Sequence, residues 1–236
     1  MNEHVRIKGP LVFDPAPLVT LPVEGTAARF PVHRIYCVGR NYAAHAVEMG
    51  HDPDKEPPFF FQKAPDTIVQ PGDPFPYPSG SSDVHYEMEH VIAIGVGGSD
   101  ISVGGALAHV FGYAAGLDMT RRDLQGAAKK LGRPWEVGKS FEHSAPMSAI
   151  RPVAVTGHPA AGAVTLDVNG ERRQTGDLDQ LIWKSQEVIS YLSSLFSLQP
   201  GDLIMTGTPA GVGPVARGDV MTGEVEGIGR VEVRVV

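Results

Sequence analysis

Glu87 and Glu89 stand two residues apart in HYEMEHVIAIG. In an extended strand such residues point to the same face. Their carboxylates would repel each other there unless water or a cation neutralised them. Asp118 ends the apolar run VFGYAAGL, where a buried strand would carry it toward the ends of neighbouring strands. Three carboxylates make a hard oxygen site suited to Mg2+, Mn2+ or Ca2+. Zinc is disfavoured, because no HExxH pattern or cysteine ligand accompanies them. The competing reading is a solvated edge strand that carries charge.

His45 and Glu48 form a second candidate pair, in NYAAHAVEMG. On a helix, positions three apart are neighbours. The carboxylate would then fix the imidazole tautomer and raise its basicity, as a general base requires. A surface helix with an incidental His–Glu contact explains the same spacing. The flanking glycines and the following loop HDPDKEPP suggest a segment able to move as a lid.

The elements that must position these groups follow from periodicity. HRIYCVG (33–39) predicts a buried strand, NYAAHAVEMG (41–50) a helix capped by Asn41, and FFFQKA (59–64) a strand. Residues 84–96 read as a strand, 106–119 as a short helix followed by an apolar run, and 120–141 as a polar helix and loop. In VTLDVNGERRQ, Asn169-Gly170 is a hairpin signal. Residues 179–198 predict the clearest amphipathic helix, and the valine-rich tail predicts strands. The fold class expected is a β-rich α+β domain over 33–236, with 1–32 as an N-terminal extension or small edge segment. The glycine pairs in GVGG and GTPAGVG match neither phosphate-loop pattern and read as turns.

Composition narrows the function classes. Net charge is −7 and no basic run is present, which argues against nucleic acid. An anionic ligand would need a local positive site, from a metal or a few placed cations. No stretch has the length and apolarity of a membrane span, and the N-terminus lacks a signal-peptide core. A single cysteine, Cys37, sits in an apolar run and reads as a core thiol. A cytoplasmic location is the expectation.

GRNYAAHAVEMG, FFFQKA, HYEMEHVIAIG, GLDMTRRDLQ, RPWEVGKSF and GDLIMTGTPAGVGP occur in this order. Together they resemble the fumarylacetoacetate hydrolase family, especially its small single-domain bacterial acylpyruvase-type members. The resemblance implies a mixed β-roll with a short lid helix, and a homodimer binding Mg2+ or Mn2+. It implies Glu87, Glu89 and Asp118 as metal ligands, His45 and Glu48 as the water-activating dyad, and Lys139 as the active-site lysine. Arg122 and Gln125 match substrate-contacting positions, as does Thr208. Lys63 is expected as a carboxylate or oxyanion partner. The FxKP pattern of relatives is replaced here by Lys63-Ala64-Pro65, which alters the loop after Lys63.

The activity implied is hydrolysis of the C–C bond in a 2,4-diketo acid. FFFQK and DMTRRDLQ most resemble members acting on fumarylpyruvate in aromatic degradation through gentisate. A dianionic substrate of that kind would need a second cationic contact, from Lys63 or Arg40. Oxaloacetate decarboxylation and 2-oxo acid isomerisation or hydration are alternatives on the same metal site. The non-enzymatic alternative is a binding domain stabilised by Ca2+.

Overall fold

Near-continuous apolar runs form strands buried on both faces. The computed structural model describes residues 10–43 and 57–236. Strands β1 (Thr20–Pro22) and β2 (Arg29–Pro31) make an antiparallel hairpin. The first half continues with β3 (Ile35–Gly39), β4 (Phe59–Lys63), β5 (Ile68–Val69), β6 (Val84–Tyr86), β7 (Met88–Ile94), β8 (Val110–Leu117) and β9 (Thr120–Arg121). Then come β10 (Ala145–Pro146), β11 (Arg151–Pro152), β12 (Ala163–Val168), β13 (Glu171–Asp177), β14 (Leu203–Met205), β15 (Gly213–Pro214), β16 (Val220–Val225) and β17 (Gly229–Arg234).

The central sheet is mixed, in the order β11–β8–β7–β14–β3–β4. Its two faces feed two cores. Tyr36, Ile92, Tyr113 and Ile204 pack toward the sheet β13–β12–β16–β17 and the helix Ser185–Leu195. Ile35, Cys37, Val91, Ala114 and Met205 pack toward the β1–β2 hairpin through Leu21 and Phe30. The Asn169-Gly170 turn adopts φ +53° and +81° between β12 and β13, as a two-residue hairpin requires.

Two sequence expectations change in detail. The strand expected over 84–96 is split at Glu87: β6 pairs with β9 and β15, whereas β7 pairs with β8 and β14. The amphipathic helix expected over 179–198 is shorter. Leu178–Gln180 is a separate 3-10 turn closed by an Asp177–Gln180 capping box, and the helix starts only at Ser185. Asn41 explains the break. Its side chain accepts from Trp183 N at 2.7 Å and donates to Trp183 O at 2.9 Å, holding that peptide out of helical pairing. The expected lid helix, with His45 and Glu48, lies outside the described residues. No helix among the described residues is long and apolar enough to cross a membrane.

Candidate active site

The strand pair β6–β7 and the pair β8–β9 pass together from one sheet into another. Glu87 and Asp118 occupy that crossing, and Asp118 N–H donates to the Glu87 carbonyl at 2.8 Å. Glu89 follows one step along β7, opposite Gly116 of β8. Thus Glu87, Glu89 and Asp118 converge as expected: all are buried, and one ligand oxygen from each lies within 4.8 Å of the others.

Three cations answer two of these carboxylates, Glu87 and Asp118. Lys139 Nζ lies 2.6 Å from Glu87 Oε2 and 2.7 Å from Asp118 Oδ2. Lys63 Nζ lies 2.8 Å from Asp118 Oδ1, and Arg122 Nη2 lies 2.5 Å from Glu87 Oε1. Burial alone would depress the Lys139 ammonium, but Asp118 and Glu87 outweigh it and hold its pKa above the usual lysine value. Burial first, then repulsion from Asp118 and Glu87, pushes the Glu89 carboxyl well above the usual range. A single backbone donor, Gly207 N–H at 2.7 Å from Glu89 Oε2, partly opposes this. Cys37 lies beneath the site, its thiol raised by burial first and Asp118 second. It is an inert core group.

The donor set fits a hard divalent cation. Asp118 Oδ1 is buried without an aligned hydrogen-bond donor despite its proximity to Lys63. Lys139 Nζ sits between Glu87 and Asp118 as a positive stand-in. All-carboxylate donors suit Mg2+, Mn2+ or Ca2+.

The pocket above the triad is lined by Arg40, Phe61, Arg122, Gln125, Lys129, Trp135, Lys139 and Thr208, among others. Arg122 and Gln125 come from the helix Arg122–Lys130. Arg122 Nη1 donates to Gln125 Oε1 at 2.6 Å, which leaves the Gln125 amide nitrogen to act as a donor. Gly138 allows the turn Glu136–Lys139 to approach that helix: a Cβ on it would lie 2.8 Å from Gln125 N. Lys139 follows directly and is thereby aimed at the triad.

Lys63 is buried beside Asp118. It is absent from the pocket wall. Besides Asp118, its ammonium donates to Met119 O at 3.2 Å and to the Lys139 carbonyl. Two hydrogen bonds and one ion pair thus tie this buried ammonium to Asp118 and to the Met119 and Lys139 backbone. Ala64 donates its N–H to Ser140 Oγ at 2.9 Å, a bond that a proline at this position would lack the hydrogen to make.

The structure brings two further residues, Gln174 and Lys129, to the site. Gln174 is buried in β13, donates to Thr208 Oγ1 and Pro209 O at 2.8 Å each, and accepts from Met88 N at 3.0 Å. Because Thr208 Oγ1 accepts from Gln174, its own hydrogen is left for the pocket. Strand alternation marks Gln174 as inward-facing, but an isolated glutamine gives no further signal. Lys129 is the other. It shares a helix stripe with Arg122 and Gln125 at i, i+3 and i+7 spacing, a signal that was available.

Residues 34–236 match the family described as fumarylacetoacetate (FAA) hydrolase, C-terminal. The chain is 48% identical over 189 residues to a fumarylpyruvate hydrolase of Ralstonia sp, covering 79% of this chain and 98% of the relative. It is 39% identical over 206 residues to the oxaloacetate tautomerase YcgM of Escherichia coli K12, covering 86% and 93%. A crystal structure of fumarylpyruvate hydrolase from Pseudomonas aeruginosa, in complex with Mn2+ and pyruvate, superposes with a TM-score of 0.94 at 53% identity, covering 96% of this chain and 99% of that one. The strand-rich α+β architecture is shared with it. The chain therefore belongs to the fumarylacetoacetate hydrolase family.

Proposed function

We propose that the protein is a metal-dependent hydrolase that cleaves the C–C bond of an acylpyruvate, with fumarylpyruvate giving fumarate and pyruvate. The observation that carries this reading is the buried triad Glu87, Glu89 and Asp118, gathered under one pocket with Lys139. Similarity to fumarylpyruvate hydrolases at 48% and 53% identity selects the substrate.

Glu87, Glu89 and Asp118 would hold Mg2+ or Mn2+, which supplies a Lewis acid for the 2-oxo acid end of the substrate. In the reaction, water adds to the 4-carbonyl and the bond between C3 and C4 breaks. The departing carbon takes the electron pair and then a proton, so the products are a carboxylate and pyruvate. His45 would accept the proton from water, with Glu48 orienting its ring. This assignment rests on their i, i+3 spacing and on the family resemblance. Gln125 Nε2 and the Thr208 hydroxyl are the donors available to an oxyanion, and each such donor contributes about 10²–10³-fold in rate. Lys139 holds Glu87 and Asp118 in register and keeps an ammonium at the pocket floor. Trp135 and Phe61 form apolar walls of the site.

A cytoplasmic homodimer and a place in gentisate breakdown complete the proposal; they rest on the family resemblance and the single cysteine. The second reading is oxaloacetate chemistry, favoured by the 39% identity to an oxaloacetate tautomerase. A coupled pyruvate-release assay with fumarylpyruvate, acetylpyruvate and oxaloacetate, beside the ultraviolet absorbance of enol-oxaloacetate and each with and without EDTA, separates the readings. EDTA-sensitive pyruvate release fastest from fumarylpyruvate supports the proposal. Turnover confined to oxaloacetate rejects it.

A further inference from the structure

Lys63, Lys139 and Arg122 pair with Glu87 and Asp118 of the triad, while Glu89 accepts from Gly207 N–H. Those cations are committed to the floor of the pocket. Arg122 in particular is bound to Glu87 and Gln125. The negative charge at the far end of a dianionic acylpyruvate must therefore meet a different group.

Lys129 is positioned for that task. It is half-buried on the pocket wall. No carboxylate among the described residues forms an ion pair with it. It lies on the helix stripe of Arg122 and Gln125, and seven residues of helix at 1.5 Å each set it about 10 Å along the axis from Arg122. All three residues of the stripe line the pocket, so it runs along one wall away from the triad's Arg122 contact. Burial first, then Arg40 and Arg122, depresses its ammonium, so positive charges crowd this wall.

Arg40 adds to the same wall. Its backbone adopts φ +58°, a left-handed conformation uncommon for a side chain of this size. Its guanidinium lies over the Phe59 ring, 5.0 Å from the centroid. Next to it, a Cβ on Gly39 would lie 2.1 Å from a Phe59 ring carbon. Only glycine at position 39 allows Phe59 to pack there and carry Arg40.

We propose that Lys129 binds the second carboxylate of the substrate and sets the preference for acylpyruvates ending in an acid, with Arg40 assisting. This inference rests on the acylpyruvate reading above. Lys129 takes the place that Lys63, buried under Asp118, does not fill.

The test compares Lys129→Met, Lys129→Glu and Lys129→Arg with the parent protein. The first readout is the ratio of kcat/KM for fumarylpyruvate to that for acetylpyruvate, which ends in a methyl group. We expect this ratio to fall at least tenfold in K129M, further in K129E, and to be largely restored in K129R. The second readout needs no turnover: fumarate is titrated into each protein while tryptophan fluorescence is followed, since Trp135 lines the pocket. The fumarate Kd should rise at least tenfold in K129M. A ratio within twofold of the parent overturns the inference, as does an unchanged fumarate Kd. If the parent releases pyruvate from neither substrate, the acylpyruvate reading fails, and the fumarate titration alone still decides the role of Lys129.

Discussion

Asp118 N–H donates to the Glu87 carbonyl at 2.8 Å, at the point where two paired strands leave one sheet for another. The spacing of two candidate metal ligands is thus set by the main chain and not by loop conformation. Side chains on such a frame keep their geometry, and substitutions here should remove charge without displacing neighbours.

Asp118→Asn should abolish stabilisation by Mn2+ in thermal melts and lower pyruvate release at least 100-fold. Asp118→Ala should also destabilise the metal-free protein by about 3–5 kcal/mol, because buried Lys63 and Lys139 then lose their shared anion. Urea titrations of both variants in EDTA check this. Equal stability of D118A and the parent would refute the pairing.

Lys63→Met should reduce kcat more than it raises KM, because the ammonium is tied to Asp118 and to two backbone carbonyls. Steady-state kinetics decide the matter. A pure KM effect would return Lys63 to the role expected from sequence.

Gln174→Leu removes the donor to Thr208 and strands the buried Met88 N–H. A loss of about 1–3 kcal/mol is expected from the unmet donor, measured by urea unfolding. Turnover should fall as well, since the Thr208 hydrogen is then free to rotate away from the pocket.

His90 gives a pH prediction. It is buried beside Tyr113, ring centroids 5.0 Å apart, and burial pushes its pKa down to about 3. The unfolded chain protonates this ring near pH 6.5, while the native protein does so only near 3. Its contribution to stability is therefore present above about pH 6.5 and is lost as pH falls toward 3, at up to about 1.4 kcal/mol per pH unit. His90→Phe keeps a ring against Tyr113 and should flatten this limb of the stability curve. Urea midpoints at pH 7, 5.5 and 4.5 give the comparison.

The convergence of the three acids was legible in the sequence because strand alternation and the end of an apolar run fix where carboxylates point. Lys63 was not. Periodicity places its Cβ but cannot say that the ammonium folds under Asp118 to two backbone carbonyls. The helix over 179–198 was overextended for a related reason: the residue that interrupts it, Asn41, is remote in sequence. Gln174 supports the site from a strand whose pattern is ordinary. Lys129, by contrast, could have been read from the helix stripe it shares with Arg122 and Gln125.

Gly207 carries a consequence for sequence drift. Its φ is +100°, and an added Cβ would lie 2.9 Å from that of Asn41. Its N–H is the backbone donor to Glu89. Any side chain introduced there must strain the main chain and collide with the clamp that holds Trp183. Saturation of codon 207 under selection for activity should therefore return glycine alone, while the partly exposed Ala210 tolerates a broad set. A position with no functional group of its own would then be as restrictive as any of the three acids.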